Sequence, residues 1–220
     1  TMQPASVSAG RERETGADKS GRDPLADDDR IVVVHRKERV FNDFFKIDRV
    51  EVTFSRLDGQ GFVRNAKLLV FERGDSAAVL IHDTERDMVV LTEQFRLPTY
   101  EKGPGWLVEP AAGMVQGDET PEQCVRREAL EEIGYELGEL TFISRFYVSP
   151  GGSSERIHLF YAPVAGSALV RPAASGLATQ SENVRRVEVA REAFVRDCRE
   201  GRYEDAKLIV AGLWLAARGG

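Results

Sequence analysis

The segment Gly113-Met-Val-Gln-Gly-Asp-Glu119-Thr-Pro-Glu-Gln-Cys-Val-Arg-Arg127-Glu128-Ala-Leu-Glu131-Glu132-Ile-Gly134-Tyr135 reads as a loop, a capped helix bearing carboxylates, and a glycine stop. Thr120 offers a hydroxyl at the N-cap, Pro121 suits the first helical position and Gln123 completes a capping box. Gly134 supplies a residue that tolerates the left-handed conformation at a helix end. At about 100° per residue, Glu128, Glu131 and Glu132 share one face, with Leu130 and Ile133 turned away. Like charges this close repel one another, and a divalent cation removes the penalty; all-oxygen donors suit Mg²⁺ or Mn²⁺. Taken alone, an acidic helix is more often a solvated face, with Arg127 and Glu131 as an ordinary i,i+4 pair.

Outward from this segment, short apolar runs alternate with turn residues. Ile31-Val-Val-Val, Phe44 to Phe54 and Ala66 to Phe71 read as strands, with Leu57-Asp-Gly-Gln-Gly as a hairpin turn. Ala77 to His82, Met88 to Arg96 and Trp106 to Glu109 continue the pattern, as do Leu140 to Tyr147 and Ile157 to Ala162 after the helix. Ala190 to Glu200 and Glu204 to Arg218 read as terminal helices, the last with a broad apolar surface. Residues 1–30 carry almost no large apolar side chains and read as a disordered tail, because they cannot offset the entropy of ordering.

Composition narrows the class. The chain has 220 residues, 42% of them hydrophobic and 30% charged, which fits a globular protein able to bury a core. A net charge of −6 argues against nucleic-acid binding as the main role, though not against nucleotide substrates. No apolar run is long enough to span a bilayer and no secretory signal is apparent, so no membrane partner and a cytoplasmic setting are expected. Cys124 and Cys198 lack metal-ligand spacing and read as reduced packing residues. His35, His82 and His158 share no spacing and read as structural.

Gly113, five residues, Glu119, seven residues, Arg127-Glu128, an apolar residue, any residue, Glu131-Glu132, any residue, Gly134 and an aromatic residue fill every fixed position of the Nudix box. The chain therefore resembles a Nudix hydrolase. Glu93-Gln-Phe-Arg96, Trp106-Leu-Val-Glu109, Ser149-Pro-Gly-Gly-Ser-Ser-Glu155-Arg156 and Gly176 to Val184 resemble the branch that includes ADP-ribose pyrophosphatases and GDP-mannose hydrolases. The likeness runs from about Arg36 to Ala217.

The resemblance implies an α/β Nudix fold, a mixed sheet sandwiched between helices, preceded by an N-terminal antiparallel β-region. It divides the chain into the tail, a β-region over 31–74 that would serve homodimerisation, and a catalytic domain over 75–220. It also implies Mg²⁺-dependent hydrolysis of the pyrophosphate of a nucleoside diphosphate sugar. Pro150, sixteen residues after Gly134, together with the Ser149 to Arg156 loop, favours ADP-ribose, cleaved to AMP and ribose 5-phosphate. GDP-mannose, cleaved to GMP and mannose 1-phosphate, is the alternative, weakly favoured by Ile157 to Ala162 and by Asp205-Ala-Lys207. A ligand-sensing module without turnover is a third reading, opposed by the retention of Glu128, Glu131 and Glu132.

Carried over from the family, Glu128, Glu132 and the Ala112 carbonyl are the expected metal ligands, with Glu131 a third ligand or a residue of the surrounding network. Arg127 would orient a box carboxylate, expected to be Glu131, with Glu119 in the same network, and Gly113 would let backbone approach the cation. Glu155, on a Gly-rich loop able to swing over the site, is the candidate general base. Arg96 is the candidate phosphate contact. Glu109 is a weaker candidate beside it, as substrate contact or structural acceptor. Phe44, Phe45 and Tyr100 are candidates for stacking on the base.

Overall fold

The computed structural model describes residues 30–170 and 183–218. The tail expected over 1–30 therefore lies outside the described residues except for Arg30, and most of the Gly176 to Val184 motif does too. The strands fall into two sheets. β1 (Val32–Asn42), β2 (Lys46–Ser55) and β3 (Phe62–Glu72) form an antiparallel three-stranded sheet in that order. β4 (Asp75–Asp83) opens a second, seven-stranded sheet with β5 (Met88–Phe95), β6 (Trp106–Glu109), β7 (Ala111–Met114), β8 (Thr141–Tyr147), β9 (Arg156–Val164) and β10 (Val184–Ala190). Its main path is β10-β5-β4-β9-β8, with β6 on β5 and β7 on β4. The β4–β9 pairing is parallel and the others are antiparallel, so the sheet is mixed.

The described residues also hold four α-helices: α1 (Leu97–Tyr100), α2 (Pro121–Ile133), α3 (Arg191–Arg199) and α4 (Ala206–Arg218). The sheet is covered on both faces, and β4 shows why its sequence reads as an unbroken apolar run. Ala77, Val79 and Ile81 pack with Val125, Ala129 and Ile133 of α2, whereas Ala78 and Leu80 pack with Phe194, Leu208, Ala211 and Leu215 of α3 and α4. Alternate side chains of one strand thus enter two cores. At the α3–α4 crossing Gly212 is required by contact: a Cβ there would lie 2.2 Å from the Cys198 sulfur. Among the described residues no helix is long and apolar enough to cross a membrane.

The structure departs from the sequence reading at three elements. β1 runs on to Asn42, well past Val34, because its charged residues continue pairing along β2 on an exposed ribbon where apolar alternation is not needed. α1, a single turn over Leu97–Tyr100, carries no buried residue and so has no apolar signature. Ala111–Met114, unassigned before Gly113 and read as loop from there, is a strand paired with β4 through Ser76↔Met114 to Val79↔Ala111. Four residues, three of them small, are too few to show strand periodicity; here the edge of β4, not side-chain propensity, imposes the extended form.

Candidate active site

Local chemistry sets α2 in place. Thr120 Oγ1 accepts from the Gln123 amide, the Gln123 side chain accepts from the Thr120 amide, and Pro121 occupies the first turn. The helix ends at Gly134, whose φ of 78° is left-handed. Val125, Ala129 and Ile133 anchor the helix to the sheet. That docking splits the carboxylate face. The side chains of Glu128 and Glu132 are largely buried, whereas Glu131 is about half in solvent. Ile133 is buried and Leu130 only partly so.

The closest approach is between Glu128 and β7. A Cβ built on Gly113 would lie 1.7 Å from Glu128 Oε1, so the carboxylate fills the space that a side chain would take. Arg127 organises the neighbourhood, although its main partner is not Glu131. Its Nε and Nη2 fork onto Glu119 at 3.0 and 3.1 Å. Its Nη1 donates to Glu128 at 2.7 Å and to Glu131 at 3.2 Å. Hydrogen bonding to Glu119 leads in raising the Arg127 pKa, and the same bond holds the Glu119 carboxyl below its ordinary value. Cys124 Sγ lies 3.6 and 3.5 Å from the Gly113 and Met114 carbonyls, tying helix to strand. Burial leads in pushing its thiol up to about 12, and that of Cys198 to about 11, which keeps both protonated and unreactive.

Glu155 arrives from the other side of β4. In the sheet Ser76 lies between Met114 and Ile157, and its hydroxyl donates to Glu155 Oε1 at 2.9 Å. The next residue, Arg156, forks onto Asp75 at 2.8 and 2.6 Å, fixing the loop end at the start of β4. The loop is tied to β3 as well: the Phe71 amide donates to the Gly152 carbonyl at 2.8 Å, and the Ser154 amide to the Phe71 carbonyl at 3.0 Å. The swinging loop of the sequence reading is thus held to β3 by a single β-bridge at Ser153 in this conformation.

A third group gathers at the end of β6. Arg96 Nε donates to Glu109 Oε2 at 2.7 Å, and Lys207 Nζ donates to Glu109 Oε1 at 3.1 Å and to Asp205 Oδ2 at 2.6 Å. Burial pushes the Glu109 carboxyl up, but Lys207 and Arg96 outweigh it and hold the acid below its ordinary value. Burial likewise opposes the charge on Lys207, and Asp205 and Glu109 more than restore it. Arg96 keeps 41% of its side chain exposed while Lys207 keeps 16%, so Arg96 is the cation available to a ligand. The sequence reading named Lys207 within Asp205-Ala-Lys207 but did not bring it to Glu109, 98 residues away in the chain.

The remaining candidates separate. Phe44 and Phe45 stack edge-on with each other, and Phe45 with Phe71, whereas Tyr100 packs on Phe95. His35 meets Thr53, His82 bridges Tyr161 and Asp87, and His158 meets Asp75.

Comparison with known proteins fits this geometry. The NUDIX domain profile matches residues 72–200, which spans α2 and its flanking strands. The chain belongs to the Nudix family. Its relatives include the GDP-mannose pyrophosphatase of Escherichia coli (strain K12), 33% identical over 177 residues, covering 79% of this chain and 90% of the relative. The GDP-mannose pyrophosphatase of Citrobacter koseri is 35% identical over 176 residues with the same coverage. Among solved structures, one described as an ADP compounds hydrolase superposes with a TM-score of 0.63 at 18% identity, covering 86% of this chain and 96% of its own, a likeness of fold.

The Nudix box can be tested for a divalent cation on its own donors. Glu128, buried Glu132 and the adjoining backbone carbonyls offer hard oxygens, and the cradle at Gly113 brings one carboxylate against the strand. Among the described residues no three His, Cys, Asp or Glu side chains form a preformed cage. Hard oxygens of this kind fit a divalent cation whose shell is completed by water and substrate phosphates.

Proposed function

We propose that the protein hydrolyses the pyrophosphate bond of a nucleoside diphosphate sugar with Mg²⁺ bound at Glu128, Glu132 and the Ala112 carbonyl. The observation that carries this reading is the seating of Glu128 against Gly113, which brings box helix and box strand together at a carboxylate. When bound, the cation neutralises the phosphate oxygens and polarises phosphorus. The protein's own groups supply the rest. Arg127 holds Glu128 in place from the side, Arg96 presents its exposed edge to a phosphate, and Glu155 takes the proton from the attacking water. Both polar contacts described for the Glu155 carboxylate, from Ser76 and Arg73, fall on Oε1, which leaves Oε2 to accept that proton. The P–O–P bond breaks as water adds to one phosphorus, giving a nucleoside monophosphate and a sugar phosphate.

Two substrates lead. The relatives sharing a third of their residues over nine-tenths of their length are named for GDP-mannose, and on that ground we put GDP-mannose first. Pro150 and its loop favour ADP-ribose as the second reading. Chromatography of products from a panel with Mg²⁺ separates them: GMP with mannose 1-phosphate, or AMP with ribose 5-phosphate. Glu132→Gln is expected to cut Mg²⁺-dependent turnover by about a thousandfold or more with the fold intact by circular dichroism. Unchanged turnover would overturn the metal assignment. Within the same reading, the exposed apolar sheet of β1 to β3 serves homodimerisation.

A further inference from the structure

Arg73 lies in the two-residue step between β3 and β4, the covalent link between the two sheets. Its guanidinium sits 5.3 Å from the Phe45 ring centre and 5.9 Å from that of Phe71, rings that themselves meet edge-on at 5.1 Å. On its far side Nη2 reaches Glu155 Oε1 at 3.8 Å, where both side chains are about four-fifths buried. The Arg73 amide donates to Ser154 Oγ at 3.1 Å, and Ser154 Oγ donates in turn to Glu72 Oε1 at 2.7 Å. Backbone and side chain of Arg73 thus both grip the segment that carries Glu155.

We propose that Arg73 is a positioning residue: clamped by Phe45 and Phe71 of the N-terminal sheet, it fixes the Glu155 carboxylate by its Oε1 and so makes turnover depend on how that sheet is seated. This rests on Glu155 being the base of the proposed reaction. The physical case is that an arginine packed over two rings has already lost much of its rotamer freedom, so its charge is delivered at a fixed place. Ser76 supplies the hydrogen bond to the same oxygen, from the Nudix sheet, beside the ion pair from Arg73. The carboxylate therefore spans the two sheets, and neither contact alone sets its direction. A loop carboxylate without that restraint samples several rotamers, of which few point Oε2 at the substrate water.

The test is a double-mutant cycle of Arg73→Gln and Glu155→Gln on the full chain, with Mg²⁺ and the best nucleotide sugar of the panel. Arg73→Gln alone is expected to lower kcat by about ten- to a hundredfold while KM moves less than about threefold. In the Glu155→Gln background the same change should cost less than about twofold, because Arg73 acts through the carboxylate that is already gone. Arg73→Lys, which keeps the charge but not the guanidinium over the rings, covers the case in which Arg73→Gln does not fold. It should show a smaller kcat loss that likewise vanishes beside Glu155→Gln. A full penalty in both backgrounds, a loss confined to KM, or wild-type kcat in a folded Arg73 variant would each overturn the proposal. Unchanged turnover in Glu155→Gln itself would instead remove the base reading on which it rests.

Discussion

Gly113 lacks a side chain, and Glu128 occupies the space one would need. Alanine there is expected to displace the carboxylate, since its Cβ would lie 1.7 Å from Oε1, 2.2 Å from Cδ and 2.7 Å from Cγ, which no relaxation of the glutamate tip alone clears. Gly113→Ala should therefore lower turnover at least about tenfold, with little change in melting temperature because the strain vents into a movable side chain. Steady-state kinetics beside a thermal melt checks both halves; a large stability loss with normal kcat would refute the cradle. The sequence singled out Gly113 and Glu128, and the fold brings those two into contact. It could not say that Glu131 would stand in solvent, or that Arg127 would fork onto Glu119, because those outcomes depend on how deeply α2 sinks into the sheet. Lys207 shows the same limit. Its contact with Glu109 joins residues 98 apart in the chain, and no local pattern encodes that.

Among the elements, α2 was the most legible: capping box, proline and glycine stop all act within one or two turns, where sequence spacing is spatial distance. β7 was the least, since its strand form is imposed by β4. The β1–β2 pair carries a testable charge device. Asp48, almost wholly buried, is clamped by Arg39 and by Lys37, the latter at 3.0 Å, and hydrogen bonds from Arg39 and then Lys37 hold its carboxyl at about 2, below its ordinary 3.8. A depressed folded pKa means stability that is fully present above the unfolded pKa and lost as pH falls through the folded one. Amide exchange across β1 and β2 should therefore be slower in wild type than in Asp48→Asn by a constant factor above about pH 5, with the gap closing between about pH 4 and 2. A gap that persists at pH 2 would show that the clamp is not electrostatic.

Taken whole, the molecule has an unusual distribution of apolar surface. Val32, Val34, Phe41, Leu68 and Leu69 of the three-stranded sheet are exposed, on both of its faces, while the seven-stranded sheet is covered by helices on each side. Light scattering of the full chain is expected to give twice the mass of one chain. Leu68 and Leu69 project to opposite faces, so Leu68→Glu and Leu69→Glu ask which face carries the contact. One of the two should yield a monomer; a native chain of single mass would exclude the dimer outright. Through Arg73, that surface and Glu155 are mechanically joined.

Sequence alone determined the Nudix identity, the capped helix and the alternation of strands, and it supplied the candidate glutamates of the site, because each is written in spacings of a few residues. Tertiary structure decided which glutamates are buried, that Ala111–Met114 is a strand, that the Ser149 to Glu155 loop is tied to β3, and that Arg73 and Lys207 reach carboxylates far away in the chain. The division has one physical cause: hydrogen-bond caps and helical faces are set by neighbours along the chain, whereas burial and ion pairing are set by neighbours across the packed sheets.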